Sequence, residues 1–242
     1  MTAASPAKAP PLVGPFRLGV DVVVMAVLTI ASVMAFSASQ VSAAGWLGRL
    51  VVPGRMLILL LIATLLLRQS GQGWRDVGFA RPKRLWLTLV LALGGYLASY
   101  LLVGLVVALL FPVLHLSRPG IGPLGHVRGN LGEYLYWMIP VTWASAAFGE
   151  EMLFRGFFFT RLLRMFPASR LAVAGAVLAQ AILFGSLHLY LGMSGAIVAG
   201  VMGIVLASVY LFGGRNLWAS IILHGLIDST SITVVYLGLA KV

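Results

Sequence analysis

The chain of 242 residues contains no cysteine, which removes thiolate nucleophiles, disulfides and cysteine-held zinc from its chemistry. Charge is nearly as scarce, with 10% of residues charged and only six of them acidic. Set against 60% hydrophobic residues and a mean hydropathy of +1.02, this excludes a soluble globular domain. The expectation is an all-α, polytopic helical membrane protein. No His-Glu-x-x-His helix and no Gly-x-Ser-x-Gly elbow is present, which leaves out the usual zincin and serine-hydrolase arrangements. Any hydrolysis therefore falls to Glu, Asp, His or Ser, alone or through a metal that they hold. The 17 basic residues give a net charge of +11, but they are scattered in short segments between apolar runs. They read as topology signals and contacts to membrane lipid, not as a nucleic-acid surface.

Residues 1–19 are Ala- and Pro-rich and are expected to be a flexible cytoplasmic tail. The apolar run 20–36 is read as an uncleaved first span, although Ser37-Ala38-Ser39 offers the small residues of a signal-peptide site. Further runs lie at 56–67 (longer if begun near Trp46), 85–111, 134–159, 171–191, 196–212 and 217–239. About seven transmembrane helices result, with Pro112 ending the third. The segment 68–84 carries five basic residues against Asp76, and Arg161, Arg164 and Arg170 follow the fourth run. By the positive-inside rule both segments are cytoplasmic, as is the N-terminus, and the second is expected to lie along the interface. The organisation expected is a tail (1–19), N-terminal transmembrane helices (20–129) and a catalytic transmembrane domain (130–242) made of the last four helices.

The polar residues bear this out in their distribution. In the first three runs the only ionisable residue in an apolar core is Asp21, at an edge, whereas the fourth run holds Glu150, Glu151 and Arg155. A charge at bilayer depth costs at least about 2.5 kcal/mol on insertion scales. Four residues apart on a helix, Glu151 and Arg155 can pair, while Glu150 is turned about 100° away. Glu151 with Arg155 reads first as a structural ion pair, Phe184 as packing, and His188 equally well as an interhelical hydrogen-bond partner or a site residue. Glu150, without a basic partner on its face, is the acid hardest to explain by structure alone. His224 and Asp228 are again four apart and share a face.

Taken in order, Glu150-Glu151-x-x-x-Arg155, Phe184-x-x-x-His188 and His224-x-x-x-Asp228 resemble the CPBP or Abi family, which comprises CAAX-type prenyl proteases (CAAX prenyl protease 2-like) and bacteriocin-processing or immunity enzymes. The resemblance covers about 130–240. It implies an intramembrane endopeptidase in a bacterial-type plasma membrane, acting on a peptide or protein whose prenylation the sequence leaves open. It implies that Glu150 activates water, that Glu151 and Arg155 support it, and that His188, His224 and Asp228 complete the site. Two chemistries stay open. Either the histidines donate hydrogen bonds to the oxyanion without a metal, or His188, His224 and Asp228 (or Glu151) hold Zn²⁺ with Glu150 as base. A proton-coupled carrier, or a non-catalytic immunity-type scaffold, is the alternative from another class. Counting about 1.5 Å per residue, Glu150 and His224 fall in the inner half of the membrane and His188 about a dozen Å higher, if every helix is straight.

Overall fold

The computed structural model describes residues 13–35, 45–118 and 122–239. The proposed cleavage site and most of the proposed tail lie outside them. Among the described residues the regular structure is entirely helical. The rods are α1 (Pro15–Met34), α2 (Gly45–Gln69), α3 (Leu85–Val113), α4 (131–165), α5 (Arg170–Ser186), α6 (Gly192–Phe212) and α7 (Leu217–Tyr236). Segments in five of these, namely α1, α2, α3, α6 and α7, are long and apolar enough to cross a membrane, and α5 is a shorter apolar helix. The third helix runs one residue past Pro112 before it ends, because a proline in the last turn costs only one backbone hydrogen bond.

The organising rod is α4, which packs against α1, α2, α5 and α7, while α3 lies on α6 and α7. Its middle is wound wide, with π-type i→i+5 hydrogen bonding over Trp137–Glu150 and Met152–Phe158. Such windings are rare and concentrate at functional sites. Pro140, which has no N–H to give the ladder, lies inside this stretch, and the Ser145 hydroxyl donates five residues back to the Pro140 carbonyl at 2.7 Å. The core is aromatic: Phe154, Phe157, Phe158 and Phe159 are fully buried on α4.

Two expectations are corrected here. Arg161 does not lie along the interface: it is 0% exposed, with Nε donating to Asp21 Oδ2 at 3.2 Å and its guanidinium 4.0 Å from the Phe157 ring centroid. Asp21 is in turn buried and not at an edge, bonded also by Arg17 Nε at 3.1 Å. An acid buried in α1 requires a cation, and α4 brings one from 140 residues away.

The second correction concerns depth. The segment 70–84 does not stay at the surface but doubles back into the bundle. Trp74 Nε1 donates to Thr64 Oγ1 on α2 at 2.9 Å. Leu217 N donates to the Gly78 carbonyl at 3.0 Å, and Asn216 Nδ2 to the Ala80 carbonyl at 2.8 Å. The start of α7 is therefore covered by this loop, and Leu217 is fully buried. Starting inside the protein lifts His224 by more than a turn relative to a helix that begins at the interface, and this closes the expected gap.

Candidate active site

Three turns of α4, α5 and α7 meet in layers. The lowest holds Arg155, whose Nη2 donates to the Gly203 carbonyl at 3.1 Å, and Gln180, whose Nε2 donates to the same oxygen at 3.0 Å. One turn further along, Glu151 Oε1 accepts from Arg155 Nη1 at 2.7 Å and from His224 Nδ1 at 2.9 Å. Both members of the ion pair are 0% exposed. Phe184 seals this layer, its ring centroid 5.0 Å from the Arg155 guanidinium and 6.0 Å from the His224 ring. The phenylalanine is packing, as expected, but packing that covers a buried cation.

The third layer holds the remaining polar groups. His224 Nε2 lies 3.5 Å from Asp228 Oδ2 and 4.0 Å from Glu150 Oε2. Glu151 is thus not merely the partner of Arg155. By taking the Nδ1 proton it orients the imidazole so that Nε2 faces the other two acids, the arrangement by which a second carboxylate sets a histidine's tautomer. Glu150 differs from its neighbour. Its Oε2 is buried and accepts no hydrogen bond from any described residue, so that oxygen is free for a water or substrate group.

His188 sits at the end of α5, where Nδ1 lies 2.8 Å from the Phe184 carbonyl. A carbonyl can only accept, so Nδ1 carries the proton and Nε2 is left for other work. Glu150 and His188 line one cavity of about 40 Å³ together with Arg55, Met56, Tyr190 and the Thr29 end of α1. That volume accommodates a water with polar walls on several sides. The structure thus joins the sequence-derived residues through Glu150, which meets His188 across the cavity and His224 and Asp228 on its other side. Measured along their helices, Thr29, Arg55, Glu150 and His188 all lie about 21–27 Å from the basic end of the bundle. The site occupies the half remote from that face, which corrects the inner-half placement of Glu150.

Arg55 was not foreseen. The second apolar run was taken to hold no ionisable residue in its core, yet this arginine borders the cavity from α2. Its signal in the sequence was a lone basic residue between Pro53-Gly54 and an unbroken apolar run. Gln180 was missed as well, since a single amide inside an alanine-rich helix has no motif. As for a metal, no three His, Asp or Glu side chains among the described residues lie close enough together to hold one ion. His188, His224 and Asp228 in particular are not gathered into a ligand set.

The helices stand this close because the contact positions carry no side chain. A Cβ at Gly225, next to His224, would fall 2.5 Å from the Trp143 ring of α4.

Comparison with known families finds a match over residues 132–230 to the family described as Type II CAAX prenyl endopeptidase Rce1-like. That segment begins at α4 and ends on α7, and it contains every residue of the three motifs. No curated protein and no solved structure matches the chain.

Proposed function

We propose, from the Rce1-like family match over residues 132–230 and from the unpartnered Glu150 oxygen facing two histidines, that the chain is a membrane-embedded endopeptidase of the CAAX prenyl protease type. The observation that carries the reading is the unequal environment of two adjacent glutamates. Glu151 is consumed by Arg155 and His224, whereas Glu150 has an oxygen to spare beside a cavity of water size.

In this reading a water bound at Glu150 attacks the scissile carbonyl carbon while Glu150 takes its proton. The carbonyl oxygen becomes an oxyanion and receives hydrogen bonds from His188 and His224, each donating through Nε2 when protonated, with the Arg55 guanidinium nearby. Asp228 and Glu151 hold the His224 ring between them. As the C–N bond breaks, the proton on Glu150 passes to the leaving amine, and the carboxylate is restored. No step is routed through a metal, because the side chains as arranged do not form a ligand set.

The test is proteolysis of a reporter peptide by membranes with and without the protein, with Glu150→Gln in parallel and with prenylated and unprenylated substrates compared. Cleavage that requires the protein and disappears with Glu150→Gln supports the reading. Equal cleavage by the variant would remove Glu150 from the chemistry. The same assay in chelator decides between the two open chemistries: full activity supports the glutamate–histidine route, and loss restored by zinc supports ligation on substrate binding.

A further inference from the structure

Away from the cavity at Glu150, the basic end of the bundle carries a recess of about 750 Å³ between the re-entrant loop and the start of α7. Its floor is aromatic, formed by Trp74, Phe79 and Trp218, and its rim carries Arg75 and Arg81. Both arginines are exposed, and neither makes an ion pair or side-chain hydrogen bond with a described residue. The acid in the recess, Asp76, is occupied, because its Oδ2 accepts from Gly73 N at 2.7 Å. The recess thus offers two free guanidinium groups above an apolar base, and the volume is that of an ordinary small-ligand site.

We propose that this recess binds the headgroup of an anionic phospholipid. Guanidinium is matched to phosphate oxygens, which it can take two at a time. The rim continues into apolar surface: Trp86 and Leu85 are 63% and 62% exposed and Phe212 is 75% exposed. Aromatic side chains exposed at the ends of apolar helices occupy the headgroup level of a bilayer. A phosphate on the rim would therefore have its acyl chains beside a surface made for them, which a soluble anion would not use. The loop so occupied is also the one that seats α7. Phe79 packs on Phe148 of α4 at 5.4 Å and on Trp218 of α7 at 5.6 Å, so a bound headgroup braces the two helices that carry Glu150 and His224.

The experiment titrates a fluorescent phosphatidylglycerol against the full-length protein in phosphatidylcholine bicelles, comparing wild type, Arg75→Gln/Arg81→Gln and the control Lys83→Gln/Arg84→Gln. Each lost charge near an anionic surface weakens binding about fivefold, so the first pair is expected to weaken it about thirtyfold. The control, whose side chains do not line the recess, is expected to stay near wild type. Equal weakening by both pairs would mean diffuse attraction to the whole basic face and would overturn the site. Displacement of the lipid by millimolar glycerol phosphate would show a free-phosphate site and overturn the lipid assignment. Peptidase activity does not enter the measurement, so its outcome is separate from that of the proposed function.

Discussion

Glu150 and Glu151 are adjacent in the chain and differ in everything else, and their difference is testable by substitution. Glu151 is bonded by a buried arginine and a histidine, so Arg155→Ala leaves a buried carboxylate without its cation. Removing one member of a buried pair costs about 3–5 kcal/mol. The expected outcome is a marked fall in folded protein recovered from the membrane, measured by size-exclusion profile in detergent. Glu150→Gln is isosteric and breaks no hydrogen bond at Oε2, so folded protein is expected near the wild-type amount. Its hydrolysis of a reporter peptide is expected to fall about a hundredfold or more, as for loss of a general base. Equal loss of folded protein in the two variants would sink the division of labour between the glutamates.

At the scale of elements, the site depends on how closely α5 and α6 approach. A Cβ at Gly185, one turn before the end of α5, would fall 2.6 Å from the Ala196 carbonyl of α6, a backbone atom that cannot swing aside. Gly185→Ala is expected to destabilise by about 1–3 kcal/mol through overpacking. It also displaces the helix end that holds His188. Gly175→Ala on the same helix meets nothing within 4 Å, and is expected to be neutral or stabilising by up to about 1 kcal/mol, since alanine is the better helix former. Thermal unfolding in detergent compares the two, and indistinguishable midpoints would mean that α5 and α6 are not in the contact described. The same scale explains why depth was misjudged. Residue counting assumes that every helix starts at the interface, and α7 starts beneath a loop contributed by the 70–84 segment.

For the whole molecule, the basic segments gather at one end. Arg17 Nη2 reaches Gln69 Oε1 at 2.6 Å and Arg161 Nη2 reaches Ser70 Oγ at 3.4 Å, so the start of α1, the end of α2 and the end of α4 share a face with the 70–84 loop. Arg49, Arg128 and Glu133 lie at the other end, where Arg49 pairs with Glu133. We propose that the first face is cytoplasmic, by the positive-inside rule. Single cysteines at Lys83 and Ala168 in this cysteine-free protein are expected to label from the cytoplasmic side and one at Arg128 from the opposite side. Labelling of Lys83 and Ala168 from opposite sides would break the bundle as described.

What the sequence determined by itself was what is local or chemical. Apolar runs placed the helices to within a few residues, because a bilayer demands long hydrogen-bonded segments wherever hydropathy is high. The expense of charge in lipid picked out Glu150, Glu151, Arg155, His188, His224 and Asp228 without any coordinates, and spacing of four foretold the Glu151–Arg155 and His224–Asp228 pairs. Only the tertiary structure decided what those groups do to one another. That Glu151 bonds His224, that Arg161 answers Asp21 across 140 residues, and that Arg55 borders the Glu150 cavity are all matters of which helix stands beside which. No periodicity encodes these contacts, since each arises from the close approach of separate helices and from a loop that turns inward to cover the start of α7.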